Sequence, residues 1–219
     1  MLRDLFVPPR NPHQAVDAGH LAERFGLFMI ILLGELVVTV GGAARDRPAD
    51  GTGYWLALIG GLVLAGALWW VYFASAAEIN RLLLNASGGN PALAYSLYAG
   101  GHLTPAFSLL LVAAGVNLSF QEEPPGTAAW FITVGLTIYL GGTRVYSSGS
   151  RRWFAATAAS RAGAATVNLA LLQSVLSAPA MVAVTAGWAV GCAALVTRFR
   201  RGAMQRLAAD PAAFMRDTA

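Results

Sequence analysis

The chain has 219 residues, 56% of them hydrophobic and 12% charged, and its mean hydropathy is +0.55. Soluble domains carry about 25% charged residues, so the composition excludes an ordinary soluble domain and predicts an all-α, polytopic membrane helical bundle. The formal net charge of +4 comes from arginine, since lysine is absent. The arginines flank apolar runs and form no basic stripe with interleaved aromatic residues, so we expect membrane lipids and no nucleic acid as partners.

The first predicted helix covers residues 27–44 and follows an N-terminal segment, residues 1–26, that we expect to be cytoplasmic. Between Arg24 and Arg45, Glu35 is the only residue that can carry a charge. A carboxylate in the middle of a span is costly, so it marks a functional or tightly paired site. Arg24 precedes Glu35 by almost three helical turns, so both should lie on one stripe of the helix.

Further apolar runs predict five more helices. The second covers residues 54–77, and the third covers residues 92–118 with an interruption at Gly100, Gly101 and Pro105. The fourth covers residues 127–146. Residues 162–197 are too long for one span, so we expect two short helices that meet at residues 177–179, with a re-entrant segment as the alternative. The six helices form a domain over residues 27–197, and a basic cytoplasmic tail, residues 198–219, follows.

The distribution of arginine predicts the orientation. With six spans, thirteen of the fifteen arginines lie on the side of the two termini, and only Arg45 and Arg47 lie opposite. Because basic residues favour the cytoplasmic side, both termini should be cytoplasmic. Five spans would place the C-terminal arginines on the wrong side of the membrane.

Other polar residues within the predicted spans are candidates for binding or proton handling. His102 lies near the middle of the third helix, with Tyr95 and Tyr98 expected on the same face, and it is the preferred partner of Glu35. Asn168 and Gln173 are substitutes for that partner. Each group also has a structural interpretation: a protonated Glu35 bonded to a neighbouring helix, a neutral His102 bonded to a carbonyl, and amides that join helices.

The remaining features predict packing more than chemistry. The aromatic residues 69–73 are typical of a membrane-interface belt, and Ala57, Gly61 and Ala65 form a stripe that allows close helix approach. No nucleotide-binding, zinc-protease or hydrolase motif occurs, so no cofactor and no catalytic residue is predicted. His20 and Glu23 are only a weak metal signal, and we predict no metal site.

The run from His20 to Glu35, HLAERFGLFMIILLGE, resembles the hallmark of the bacterial low temperature requirement A family of membrane proteins. Residues 67–73, ALWWVYF, and residues 95–102, which lead to His102, are similar to further motifs of that family. Leu36, Ala74 and Thr104 replace the serine, aspartate and proline that are usual there. The resemblance implies a multi-pass protein of the bacterial inner membrane, linked to growth in the cold, and family members usually carry a further membrane half ahead of this motif. It implies no substrate or reaction. A transporter with only one half would need a homodimeric partner or a partner membrane half.

Three functions fit these observations. The first is a transporter- or channel-like module in which Glu35 and His102 handle protons, ions or a small substrate. The second is a non-catalytic membrane scaffold whose polar groups only join helices. The third is a lipid-modifying intramembrane enzyme that uses Glu35 as acid or base and Arg24 as a phosphate clamp.

Overall fold

A computed structural model describes residues 15–47, 49, 51–142 and 176–210, and every regular element in these ranges is a helix. Three helical stretches are long and apolar enough to cross a membrane, Ala18–Arg45, Gly51–Ala86 and Pro91–Leu118, and two shorter apolar helices are Gly126–Leu140 and Ala178–Ala194. The prediction of a helical membrane protein is therefore confirmed. The count of six spans and the orientation stay predictions. The predicted fifth helix, with Asn168 and Gln173, lies outside the described residues.

The first span is a single helix, α1 (Ala18–Arg45). It begins before the predicted start at residue 27 because Asp17 caps it: the Asp17 carboxylate accepts hydrogen bonds from the backbone N–H groups of Gly19 and His20 at 2.8 and 3.1 Å. Residues 18–26, which include His20, Glu23 and Arg24, thus extend the helix beyond the apolar run from which the boundary was predicted.

The second span contains α2 (Gly51–Val71), a π-helical segment π1 (Tyr72–Ala76) and α3 (Ala77–Ala86). A tight turn then leads to α4 (Pro91–Ala94). In this turn Gly88 and Gly89 have φ of 66° and 74°. Such positive φ values are costly for residues with a Cβ. The Gly89 carbonyl accepts a hydrogen bond of 2.9 Å from the Val16 N–H, so this turn holds the chain just before α1.

The third span continues from α4 through a second π-helical segment, π2 (Tyr95–Gly100), into α5 (Gly101–Leu118). The interruption predicted near Gly100 and Gly101 is therefore present, as the π-helical segment that ends at Gly100. Pro105 lies one turn further on, inside α5.

Helices α6 (Gly126–Gly142) and α7 (Ala178–Ala209) complete the described bundle. Glycines allow two close helix pairs. A Cβ on Gly115 of α5 would lie 2.8 Å from the Ala128 carbonyl of α6, and a Cβ on Gly60 of α2 would lie 3.0 Å from the backbone nitrogen of Ala183 in α7. Ala57, Gly61 and Ala65 are buried, which confirms the predicted small-residue stripe.

The buried side chains form two apolar clusters. The larger cluster joins α1, α2, α5, α6 and α7, and it includes Met29, Leu68 and Tyr72. The smaller cluster joins the start of α1 to α3, α4 and π2, and it includes Leu84 and Tyr98. Tyr72 and Tyr98 belong to different clusters, so the region between these two side chains is where the two cores meet.

Candidate functional site

Tyr72 begins π1 and His102 follows π2 by two residues, so both π-helical segments lie near the place where the two apolar clusters meet. In π1 the Ala77 N–H bonds to the Tyr72 carbonyl, and in π2 the Gly101 N–H bonds to the Ser96 carbonyl, both five residues back. Such wide turns are rare and occur frequently at functional sites. A hydrogen bond of 2.7 Å between the Tyr72 hydroxyl and Nε2 of His102 joins the second span to the third at this level.

The geometry around His102 defines the tautomer of its ring. Nδ1 lies 2.9 Å from the Tyr98 carbonyl oxygen and 3.2 Å from the Leu97 carbonyl oxygen. Because carbonyl oxygens only accept, Nδ1 carries a hydrogen and donates it. In the neutral ring Nε2 then has a free lone pair, and the Tyr72 hydroxyl donates to it. Tyr72 and His102 are only 2% and 3% exposed, so this bond is closed to solvent.

Aromatic side chains enclose the His102 ring. The Tyr98 ring stacks on it with a centroid distance of 5.6 Å and an interplanar angle of 4°. Phe25 of α1 packs against both rings, with centroid distances of 4.7 Å to His102 and 5.3 Å to Tyr98. The ring is therefore fixed by packing as well as by hydrogen bonds, which holds Nε2 in position toward Tyr72.

The Tyr98 hydroxyl is buried and has no hydrogen-bond partner among the described residues. A buried hydroxyl of this kind costs free energy unless something satisfies it. Glu78 and Arg81 of α3 lie within electrostatic range of it. They form a two-point ion pair with each other, at 2.6 and 2.9 Å, and are partly exposed near the end of the second span. Tyr98 therefore lies between the His102 ring, on which it stacks, and the charged pair near that end of the span.

Helix α6 contributes a further polar contact close to π1. The Tyr139 hydroxyl donates a hydrogen bond of 2.9 Å to the carbonyl of Leu68, one turn before Tyr72. Both side chains are fully buried. The bond is made where the backbone of α2 leaves regular α-helical geometry, and it anchors the start of the π-helical segment to α6.

Glu35 lies apart from this site. It is exposed on the outward face of α1 and has no hydrogen bond or ion pair with any described residue. The predicted pairing of Glu35 with His102 is wrong, because α1 turns the face with Met29, Leu33 and Leu36 toward the bundle and Glu35 away from it. Arg24 is exposed on the same outward face, as the helical spacing predicted.

The structure places the other predicted candidates as follows. His20 and Glu23 are exposed at the start of α1 and are not part of the His102 site. Asn168 and Gln173 lie outside the described residues. Functional roles for all these residues, and for Glu35, stay predictions.

Two aromatic residues differ from their predicted positions. Tyr95 was expected on the face of His102 but is 74% exposed, because the extra residue in the π-helical turn rotates it away from that face. Tyr72 was interpreted as part of an interfacial belt, yet it is buried and bonded to His102. Trp69 and Trp70 of the same run are exposed, as an interfacial belt requires.

A cavity of about 960 Å³ opens at the other end of the bundle. Tyr54 and Ala57 of α2, Phe120, Trp130 and Met181 are among the residues that line it. Along α2, the fifteen residues from Ala57 to Tyr72 correspond to about 22 Å. Buried Leu64 and Leu68 occupy that interval, so an apolar layer separates the cavity from the His102 site.

Comparison with known proteins decides the family. The profile of the family described as bacterial low temperature requirement A protein (LtrA) matches residues 1–197. The chain belongs to the LtrA family. A curated relative is the uncharacterized protein RA0937 of Rhizobium meliloti (strain 1021), which is 29% identical over 108 residues. The match covers 49% of this chain and 26% of that relative. No solved structure matches the chain.

The LtrA match contains every residue of the site around His102. It spans the three side chains that enclose or bond the ring, Phe25, Tyr72 and Tyr98, as well as the ion pair on α3. The similar motifs found in the sequence also converge in the structure: the run that contains Phe25, the run that ends in Tyr72 and Phe73, and the run that leads to His102 meet at one point. The LtrA motifs therefore describe a three-dimensional cluster in this chain, with Glu35 outside it.

Proposed function

We propose that this LtrA protein is a transporter- or channel-like module of the bacterial inner membrane, in which His102 and Tyr72 handle a proton. The observation that supports this proposal is the 2.7 Å hydrogen bond between the titratable His102 ring and the Tyr72 hydroxyl, which joins two helical stretches that each contain a π-helical segment. Transporters commonly build binding sites from interrupted helices. Irregular backbone at that depth is tolerated where it is buried in protein or lines a cavity.

The Tyr72–His102 bond can exist in two directions. With a neutral ring, the Tyr72 hydroxyl donates to Nε2. When Nε2 takes up a proton, it becomes a donor, and the hydroxyl oxygen must accept. The O–H of Tyr72 then no longer donates to Nε2 and is available to donate a hydrogen bond to another acceptor. A proton that enters at His102 therefore changes which groups Tyr72 can bond, and this change links protonation to the contact between the two spans.

The groups beyond His102 suggest a route toward one membrane surface. Tyr98 stacks on the ring and has a hydroxyl without a partner among the described residues. That hydroxyl lies within electrostatic range of the Glu78 carboxylate and the Arg81 guanidinium. One water molecule beside Tyr98 would satisfy the hydroxyl. In the orientation predicted from arginine, this route ends at the cytoplasmic surface.

The opposite route begins at the 960 Å³ cavity and is closed by the apolar layer of Leu64 and Leu68. A proton or a small substrate could pass this layer only after the helices move. In an alternating-access mechanism, movement of the helices would open this layer and connect the cavity with the His102 site. The same layer argues against a permanently open channel.

The test is proton flux in liposomes that contain the full chain. A pH-sensitive dye inside the vesicles reports flux under an imposed pH gradient and membrane potential. We expect flux above that of empty vesicles, and we expect His102→Gln to reduce it to the empty-vesicle level, because glutamine hydrogen-bonds but does not titrate. His20→Gln is the matched control: His20 is exposed at the start of α1, so flux should be unchanged. Equal flux in empty vesicles and vesicles with the wild-type chain would contradict the proposal.

A scaffold function is the second candidate, because both nitrogens of His102 are satisfied within the protein. In that case the wild-type chain carries no flux, and His102→Gln lowers stability only. A lipid-modifying enzyme has less support. Arg24 and Glu35 do share one face, but the eleven residues between them correspond to about 16 Å, too far for both to act on one phosphodiester.

A further inference from the structure

Helices α2 and α7 run in the same direction and leave an open groove of about 620 Å³ between them. The two helices pack closely near Gly60, where an added Cβ would lie 3.0 Å from the backbone nitrogen of Ala183. Further along, a hydrogen bond joins Trp70 to Thr197. Between these two levels an added Cβ on Gly66 would meet nothing within 4 Å, so the groove is open there. The groove is lined by Val63, Gly66, Ala67, Trp70, Val190, Ala193, Ala194 and Thr197.

The groove presents an apolar surface. Among its lining side chains only those of Trp70 and Thr197 are polar, and both are engaged within the protein. Nε1 of Trp70 donates a hydrogen bond of 2.9 Å to the Thr197 hydroxyl oxygen, and that hydroxyl donates one of 2.8 Å to the Ala193 carbonyl. The donors of the lining side chains are therefore used, and the groove is suited to hydrocarbon. Its volume lies within the range of about 300–1,000 Å³ that is usual for ligand sites.

The groove ends where the apolar part of α7 gives way to arginine. The apolar helix covers Ala178–Ala194, and Arg198, Arg200 and Arg201 follow Thr197 within about one turn. Positions 190, 193, 194, 197 and 201 recur at intervals of three and four residues, so position 201 continues the helix face that lines the groove. Helix α7 contains no aspartate or glutamate that would balance these arginines.

The opposite wall indicates the same level in the membrane. Trp70 of α2 is 48% exposed at this end of the groove, and exposed tryptophan is typical of the interface between acyl chains and headgroups. One helix face thus carries an apolar groove within the hydrocarbon region and a basic position just beyond it. In the orientation predicted from arginine, this end of the groove is at the cytoplasmic leaflet.

We propose that the groove binds an acyl chain of a phospholipid with an anionic headgroup, and that position 201 of α7 recognises the headgroup phosphate. Basic pockets between transmembrane helices bind anionic headgroups on the cytoplasmic side of other membrane proteins. Arginine also fits phosphate geometry better than a simple point charge does. A transmembrane helix would fill the apolar groove as well, but a phospholipid supplies the hydrocarbon and the anion in one molecule.

Photocrosslinking of the full chain in phosphatidylcholine vesicles tests the site. The vesicles contain a small fraction of phosphatidylglycerol with a diazirine in one acyl chain, and mass spectrometry of peptides locates the crosslinks. Parallel vesicles contain phosphatidylcholine with the same diazirine chain. We expect the phosphatidylglycerol probe to label residues 63–70 and 190–197 more strongly than the phosphatidylcholine probe does. Equal labelling by the two probes would show contact with bulk lipid without headgroup recognition, and it would overturn the proposal.

Arg201→Gln tests the contact with the headgroup. Labelling of the groove by the phosphatidylglycerol probe should fall about fivefold, which is the effect expected of one basic residue near an anionic surface, and labelling by the phosphatidylcholine probe should not change. Arg206→Gln is the matched control. Position 206 follows Thr197 by nine residues, or about two and a half turns, so it lies on the opposite face of the same helix. Labelling that Arg201→Gln leaves unchanged, or that only Arg206→Gln reduces, would reject the proposed headgroup position.

Gly66→Phe tests the groove itself, because the new ring would occupy the open space between the helices. It should lower labelling of residues 190–197 by both probes, whereas Gly41→Phe should not. Gly41 is exposed on α1 outside the groove, and an added Cβ there also meets nothing within 4 Å. Thermal melting of each variant checks that it folds.

Wild-type groove peptides that are labelled no more than the rest of the chain would show that protein, either residues 143–175 or another chain, covers the groove. The proposal would then be wrong. None of these results depends on proton flux, so the lipid site and the proposed function can fail separately.

Discussion

Replacement of Tyr72 by phenylalanine removes one oxygen atom from the centre of the candidate site. The lost hydrogen bond is short, at 2.7 Å, and both partners are at least 97% buried, so no bulk water can replace the hydroxyl. In soluble proteins a buried acceptor left unpaired costs about 1–3 kcal/mol. Interhelical hydrogen bonds in membranes average about 0.6 kcal/mol and reach about 1.7 kcal/mol. We expect Tyr72→Phe to lower the free energy of unfolding by about 1 kcal/mol.

The measurement is unfolding of the purified chain in mixed micelles of increasing sodium dodecyl sulfate content, followed by circular dichroism. Tyr95→Phe is the control, because it makes the same chemical change on an exposed residue of the third span, and it should shift stability by less than about 0.5 kcal/mol. In a His102→Leu background, Tyr72→Phe should not destabilise the chain further and should restore part of its stability, since it removes a hydroxyl that is buried without its acceptor. Equal stability of the Tyr72→Phe and Tyr95→Phe variants would refute the assignment of this bond.

Three further predictions concern packing and helix ends. Gly115→Ala should destabilise the chain by about 1–3 kcal/mol in the same unfolding assay, because its Cβ would lie 2.8 Å from the backbone of α6, whereas Gly187→Ala, with open space, should not destabilise it. Asp17→Ala should cost about 1 kcal/mol through loss of the cap of α1, with faster hydrogen exchange in its first turn as the readout. Tyr139→Phe should cost about 1 kcal/mol in the unfolding assay and accelerate amide exchange in π1, where Tyr139 anchors the backbone; unchanged exchange there would contradict that role.

Hydropathy and spacing predicted the membrane class and the approximate positions of the described helices, because the length of an apolar run is set by bilayer thickness. The same reasoning located His102 and Tyr98 as neighbours four residues apart. It could not predict π1 and π2, since a π-helical turn depends on tertiary contacts such as the Tyr139 bond and leaves no clear pattern in the sequence. Because π2 was not predicted, Tyr95 was expected on the same face as His102, where it does not lie.

Glu35 shows why one sequence could not determine which face of α1 is buried. The rule that ionisable residues face protein is a rule about the complete assembly, and it was applied to the contacts within one chain. The apolar residues on both faces of α1 made the two faces equivalent in hydropathy. Among the described residues, the structure shows which face packs against the bundle: Met29, Leu33 and Leu36 are buried, and Glu35 is exposed.

The division of the interior into two apolar clusters has a consequence for motion. The smaller cluster, which includes Leu84 and Tyr98, has few members and should open as one unit before the larger cluster does. Tyr72 and His102 connect the two units through a bond worth about 1 kcal/mol, which corresponds to a population ratio of only about five to one. The aromatic packing of Phe25 and Tyr98 on the His102 ring adds to this coupling. A charge on the imidazole would reverse the direction of the Tyr72–His102 bond and so shift the balance between joined and separated arrangements.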